Sequence, residues 1–430
     1  MISVRNHRQL LNGNKVILLL FIFVSFSCNA FRVIGDVKAP TTPKIETNDS
    51  EDISVDLPSG EKPLKMEEDA IVPTKRIVFH GQSYQVAAHK SSFDIALILP
   101  FYSSKANIPN RTAEIMVEYY QGVEEAMLRL EREGFKCSLH VYDNENDSVK
   151  LKSILSKLPR SIDFIVGPIS EQHMRIVSEF AVSKRIGVFS PFSSVSNLDN
   201  GNTRFYSTAP SSAHKAKAVA DFLKANHPNR KVYILRDGGA HDKDIVPHLT
   251  KELTTNGIKY DLITYAWTNN WATLLTGTDT NLVYIPSHSS ATVTTTMGKL
   301  YSAKKRVIVL GEYSWTDFAD NDFKFWDRLK VHVIASDFVD ESNEEVRVYR
   351  ETFRLHYKQD PSLYSYLGYD QFNFIGDFLM AFGEHYPRYL TNHSFGYLTS
   401  NYSFKLENGF NVNTHVFILK FSDYKLQTAN

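Results

Sequence analysis

The side chains best placed to do chemistry fall into two groups. The first is hydroxylic. Ser170 stands in Gly167-Pro168-Ile169-Ser170-Glu171, and Ser193 with Ser194 in Ser190-Pro191-Phe192-Ser193-Ser194. Each lies where a strand pattern gives way to a helix or a turn. A serine there can cap the helix, or it can join the free N–H groups in receiving an anion. The dipole of one helix start contributes about 0.3–1 kcal/mol, whereas micromolar binding needs about 8 kcal/mol, so such turns orient a ligand rather than hold it. The second group is Ser287, Glu312, Tyr313 and Trp315, at the ends of later strand patterns. Glu312 can pair with a ligand amine, and Tyr313 or Trp315 can stack on an apolar or sugar-like body. The structural alternatives are a plain helix cap for the serines and an aromatic packed under a loop for Trp315.

Catalytic patterns are missing. The sequence has no HExxH and no Cys/His metal spacing, no GxSxG elbow and no GxGxxG loop. His241, Asp242 and Asp244 gather near a helix start and read as a solvated turn rather than a metal site. We expect a protein that is not an enzyme and needs no cofactor or metal.

The elements that position these residues alternate strand with helix. Phe93–Leu99 is an apolar strand stopped by Pro100, and a helix follows with Ile115, Tyr119, Val123, Ala126, Met127 and Leu130 on one face. Strand 138–142, helix 148–158, strand 163–166, a helix of about a dozen residues and strand 185–190 come next. The last two strands are apolar on both faces, as parallel strands are. Parallel strands release the chain at one edge of the sheet, so the turns at 167–171 and 190–194 should share a crevice beyond the strand ends. The rhythm restarts with strand 205–208 and helix 213–226. It continues with strands 231–235, 259–265, 281–286, 306–310 and 331–335, and helices 242–256 and 290–302. Helices 344–357 and 363–385 follow, with short strands at 402–406 and 415–421. The expected fold class is α/β: two Rossmann-like lobes, each with a doubly wound parallel sheet.

Lys plus Arg and Asp plus Glu each number 48, so no basic excess steers the chain to phosphate backbones, and nucleic acid is not an expected partner. Arg5, Arg8 and Lys15 precede the apolar run Val16–Phe26, which is too short for a membrane span of about 20 residues and suits a signal peptide. Ser25-Phe26-Ser27-Cys28 resembles a bacterial lipobox, with Ser25 where an aliphatic residue is usual. Lipidation at Cys28 is preferred to cleavage after Ala30. Residues 29–90 are expected to be a disordered linker, because the polar stretch from Val37 to Lys75 cannot bury a core. About 40 flexible residues span on the order of 35 Å. Arg76–Val86 is read either as a small hairpin turning at Gly81 or as the approach to the first strand. Cys137 has no intrachain partner and reads as a structural thiol.

Taken in order, IALILPF, EYYQGVEEAMLRL, VYDNEND, IVGPIS, IGVFSPFSS, FYSTAPSSAHKAKAVADFL, KVYILRD, VIVLGEYSWTDF and YLGYDQFNFIGDFL resemble the type I periplasmic binding protein family. The resemblance is closer still to lipoproteins of Bacteroidota with this fold that are described as amino-acid-transporter binding proteins. It covers Phe93 to the C-terminus. It implies two lobes joined by three crossovers, near 208–211, 335–340 and 389–398, with ligand captured by hinge closure. Lobe one would be 93–209 with 340–387, and lobe two 210–339 with the C-terminal strands, inside a folded region 91–430. Thr208 joins the candidate contacts at the first crossover, and Asp370 is implied to be a hinge hydrogen-bonder. Glu171 departs from the amino-acid binders, whose turn carries small hydroxyl residues, and an acid there repels a ligand carboxylate. The implied function is a lipid-anchored solute-binding protein facing the periplasm. It would capture a small polar ligand (amino-acid-like, amide or cell-wall-derived) for a transporter or sensor. The alternative is an envelope interaction protein, such as a regulator of peptidoglycan synthesis, because fold alone does not fix function.

Overall fold

The computed structural model describes residues 74–105, 107–192, 201–390 and 393–429, and Cys28, Ser193 and Ser194 lie outside them. The first elements are β1 (Thr74–Phe79) and β2 (Gln82–Ala87), an antiparallel hairpin turning at His80 and Gly81, both with positive φ. Ile77, Phe79 and Val86 are buried in the core. Phe79 meets Phe382 edge-on at 5.0 Å. Residues 74–87 are therefore folded, and an expected linker reaching residue 90 extends too far.

Lobe one continues through β3 (Ser92–Leu99), α1 (Arg111–Arg132), β4 (Lys136–Asp143), α2 (Ser148–Lys157), β5 (Ile162–Val166), α3 (Glu171–Val182), β6 (Gly187–Ser190) and β7 (Phe205–Ser207). Lobe two runs through α4 (Ser212–Asn226), β8 (Val232–Arg236), α5 (Ala240–Thr255), β9 (Tyr260–Thr264), α6 (Trp271–Leu274), β10 (Asn281–Tyr284), α7 (Ser290–Ser302), β11 (Val307–Glu312), α8 (Phe323–Arg328) and β12 (His332–Ala335). Then come α9 (Glu344–Tyr357), α10 (Leu363–Phe382), α11 (Pro387–Leu390), β13 (Ser394–Gly396), β14 (Asn401–Glu407), β15 (Phe410–Asn413), β16 (Phe417–Ser422) and β17 (Lys425–Thr428). None of the described helices is long and apolar enough to cross a membrane.

The helices start where capping side chains are. Asn110, Asp147, Ser170, Ser211, Ser289, Asn343 and Ser362 each accept a backbone N–H of the first turn. The largely buried α10 is central to lobe one and lies against α1 at backbone distance. A Cβ on Gly122 would come within 1.9 Å of the Ser365 carbonyl, and one on Gly368 within 2.1 Å of the Tyr119 carbonyl. Only glycine permits that approach.

The sheet of lobe one has the order β13-β14-β15-β7-β6-β5-β3-β4, and that of lobe two β17-β16-β12-β11-β10-β8-β9. Strands β4 to β7 with β3, and β8 to β12, run parallel. In each lobe the first strand lies between the second and third, so the chain direction reverses at β3/β5 and at β8/β10. Those are the topological switch points, where open α/β sheets take ligands. The sheets are mixed rather than purely parallel. β15 extends the parallel set of lobe one beside β7, whereas β13, β14, β16 and β17 are antiparallel additions.

The C-terminal strands divide between the lobes. β13 to β15 join the first sheet, and only β16 and β17 join the second. Tyr402 and Phe404 explain this, since they pack on Phe374 of α10 at 4.8 and 5.8 Å. The third crossover is therefore 414–416, between β15 and β16, and not 389–398. The other two fall at 208–211 and just after β12. Every crossover leaves the carboxyl edge of the parallel strands. β7 and β15 end there in lobe one, α4 begins there in lobe two, and Ala335 at the end of β12 pairs with Phe417 at the start of β16. The two carboxyl edges consequently meet at the hinge.

Candidate functional site

On lobe one the edge is held by its own backbone. Asp143, ending β4, accepts the N–H groups of Phe101 (2.9 Å), Tyr102 (3.2 Å) and Ser103 (2.7 Å), and its pKa lies below the ordinary value. Burial alone would raise that pKa, but the hydroxyl and N–H of Ser103 and the other donors outweigh it. Ser170 caps α3 by accepting the His173 N–H at 3.4 Å. Glu171 points along the same helix and pairs with Arg175 at 2.8 Å. Thr208 donates its hydroxyl to the carbonyls of Ser190 (2.7 Å) and Pro191 (3.0 Å), tying the first crossover to the end of β6. Its hydroxyl is thus committed to the hinge rather than to a ligand.

Among the described residues, lobe two carries the denser polar set. Glu312, at the end of β11, is 3 % exposed. It accepts the Tyr284 hydroxyl at 2.9 Å, and His241 Nε2 lies 3.0 Å away. Burial pushes the Glu312 pKa up, but His241, Lys215 and the Tyr284 hydroxyl together hold it below the usual carboxylate range. Glu312 is thus already engaged, whereas the sequence suggested an acid free to receive an amine. His241 and His288 lie side by side, with ring centroids 4.4 Å apart. His288 Nδ1 is 2.7 Å from the Ser314 hydroxyl. Burial and the neighbouring His241 push the His288 pKa down, which favours the neutral ring. Ser287 donates its hydroxyl to Asp237 and accepts the Ser289 N–H at 3.1 Å. Asp237 also accepts the Gly239 N–H at 2.8 Å.

Trp315 does not present its ring to a cleft. It is fully buried, donates Nε1–H to the Ser287 carbonyl at 2.8 Å, and covers Gly311, where a Cβ would lie 1.9 Å from the ring. Its role is to hold the turn that carries Ser287. Tyr313 is half-buried in the short turn after β11.

Ser170 and Glu171 therefore sit on the lobe-one edge, and Ser287, Glu312 and Tyr313 on the lobe-two edge, with Thr208 at the hinge between. Sequence reasoning missed His241 and His288 as members of this set. Forty-odd residues separate them, and only the pairing of β8 with β10 brings them together. Among the described residues no cluster of three or more His, Cys, Asp or Glu side chains could hold a metal ion. The thiol of Cys137 is pushed up to about 12 by burial and by Asp94 and Asp163, which fits an unreactive structural role.

Residues 129–314 match the sequence family described as the receptor family ligand binding region. A search of curated proteins returns no match. Solved structures resemble the chain in fold. A protein provisionally assigned to branched-chain amino acid ABC transport in Rhodospirillum rubrum superposes with a TM-score of 0.62 at 10% identity, covering 78% of this chain and 99% of that one. The ABC transporter substrate-binding protein from Desulfitobacterium hafniense, solved in complex with Leu, gives 0.53 at 17% identity over 78% and 99%. The solute binding protein of an ABC transporter from Rhodopseudomonas palustris BisB5, in complex with 3,4-dihydroxybenzoic acid, gives 0.51 at 14% identity over 79% and 96%.

Proposed function

We propose that this chain, which has the fold of type I periplasmic binding proteins, is an extracytoplasmic solute-binding protein that captures a small polar molecule between its lobes. The supporting observation is the convergence of all three crossovers on the carboxyl edges of both sheets. Such a hinge lets the edges at β3/β5 and β8/β10 close on a ligand, and ligands bind at switch points of this kind. The binding proteins that resemble it in fold support solute capture for an ABC transporter. A lipid anchor at Cys28 would hold the protein on a membrane facing the periplasm, with delivery to a transporter or a sensor. No step of this function requires a reaction.

The test is thermal melting of the purified full chain across amino acids, amides, sugars and muropeptides. A true ligand at 100 times its Kd adds about 2.7 kcal/mol of stability and raises the melting temperature saturably. A library that moves nothing at millimolar concentration overturns the reading. Anchoring is tested separately. The chain should fractionate with membranes, and Cys28→Ser should release it.

A further inference from the structure

Most of the charged groups described along both carboxyl edges are satisfied from within the protein. On lobe one Glu171 is paired with Arg175 at 2.8 Å. Asp143 is saturated by backbone N–H donors, and Glu145 accepts the Ser104 N–H at 2.9 Å with Lys150 3.5 Å away. On lobe two Glu312 faces His241 and Tyr284, and the buried Asp242 is paired with Arg236 and accepts the Gly238 N–H at 2.7 Å. Asp237 accepts from Ser287 and Gly239. Lys215 lies near enough to Glu312 and to Asp337 to favour both carboxylates.

We propose that the cleft selects an uncharged ligand, one that presents hydroxyl or amide groups, and rejects zwitterionic amino acids and simple ions. This rests on the solute-binding reading above and narrows its ligand class. A ligand charge that leaves water needs a counter-charge that is not already spent, because desolvating an ion costs several kcal/mol unless it is well paired. An α-amino acid would need two. Among the described residues, the edges offer hydrogen-bonding groups of both senses beside charges that are mostly paired. At the β8/β10 switch point the imidazoles of His241 and His288 sit 4.4 Å apart, with the Ser314 hydroxyl 2.7 Å beyond. The neutral imidazole of His288 donates at one nitrogen and accepts at the other, and a serine hydroxyl does both. A ligand hydroxyl or carboxamide has the same double character, so it can bond here without an ion being stripped of water.

The experiment is calorimetric titration and thermal shift of the full chain with six probes. Glucose, N-acetylglucosamine and acetamide are neutral, and leucine, benzoate and putrescine are charged. Binding of at least one neutral probe, with none of the charged ones, is the expected result. Binding of leucine, benzoate or putrescine as tightly as the best neutral probe overturns the charge argument and leaves solute binding standing. Binding of no probe overturns the inference, and the wider library then decides separately whether solute binding fails with it. His288→Ala, at the exposed lip, should leave the ligand-free melting temperature in place. It should weaken the neutral probe about tenfold, the loss expected for one hydrogen bond. An unchanged affinity places the ligand elsewhere and overturns the assignment.

Discussion

Thr399 gives Asp370 both its backbone N–H, at 2.7 Å, and its hydroxyl, at 2.8 Å. The N–H groups of Leu398 and Ser400 reach the same carboxylate at 3.1 Å each. Ser400 then donates its hydroxyl to Asp337 at 2.7 Å, and the Phe338 N–H reaches the Thr399 carbonyl at 2.8 Å. One acid on α10 thus shapes the turn between β13 and β14, and that turn clasps the crossover after β12. The core of lobe one and the hinge are joined through a side chain that the family resemblance had marked as a hinge group.

Removing that acid should therefore be costly. Asp370→Ala leaves several buried donors without an acceptor, and losing such a buried set of bonds costs roughly 3 kcal/mol or more. Urea denaturation should show the unfolding free energy falling by that amount. A denaturation midpoint within experimental error of the wild type would show that the clasp contributes nothing.

The contact of α1 with α10 gives a second expectation. Gly122→Ala would place its Cβ 1.9 Å from the Ser365 carbonyl, a backbone atom in a buried helix that cannot swing aside. Overpacking of this kind costs about 1–3 kcal/mol and more when backbone must move. Gly81→Ala meets no atom within 4 Å and suffers only its positive φ. The first variant should lose clearly more stability than the second, and equal losses would refute the close approach.

The strand–helix rhythm was legible because each buried parallel strand is a short apolar run with punctuation. Ile162–Val166 between Pro159 and Gly167 is such a run. Sheet membership was less legible. β14 and β15 form a hairpin whose local pattern suits either lobe, and only the docking of Tyr402 and Phe404 on Phe374 assigns them to lobe one. Of the site, single residues at strand ends could be read, since strand ends are visible in one dimension. The partners that neutralise them could not. Glu312 looks free until β8 is placed beside β10 and the first turn of α5 carries His241 to it. Trp315 looks like a platform for a ligand until Gly311 opens a space for its ring.

Trp315 is the next test. If it supports the Ser287 turn instead of touching ligand, Trp315→Phe should lower stability. It removes the 2.8 Å bond to the Ser287 carbonyl and part of the ring over Gly311, a loss of about 2 kcal/mol. Kd for the ligand should then change by less than about threefold once the protein is folded. A large affinity loss at unchanged stability would put the indole in the cleft after all.

The last expectation concerns acid. His332, on β12, is 6 % exposed, and burial pushes its pKa down to about 4, with Lys420 and His227 adding to the fall despite the Lys330 carbonyl. The folded protein therefore refuses a proton that the unfolded chain accepts below its ordinary value near 6.5. Stability from this group is complete above about pH 6.5 and is lost as pH falls toward 4. Each tenfold difference in proton affinity between the folded and unfolded chain is worth about 1.4 kcal/mol, so on the order of 2 kcal/mol should disappear between about pH 6.5 and 4.5. Asp370, raised to about 7, and Asp337 and Asp377, raised to about 6 by burial, act in the opposite sense. Their folded forms hold protons that the unfolded chain has released, so they favour the folded state as pH falls from about 7 to about 4. The wild-type curve alone mixes the two signs. The difference between wild type and His332→Gln isolates the histidine, because the acids are common to both. That difference in unfolding free energy should shift by about 2 kcal/mol in favour of the variant on going from about pH 7 to about pH 4.5. Parallel curves would mean that His332 takes up its proton in the folded state as easily as in the unfolded one.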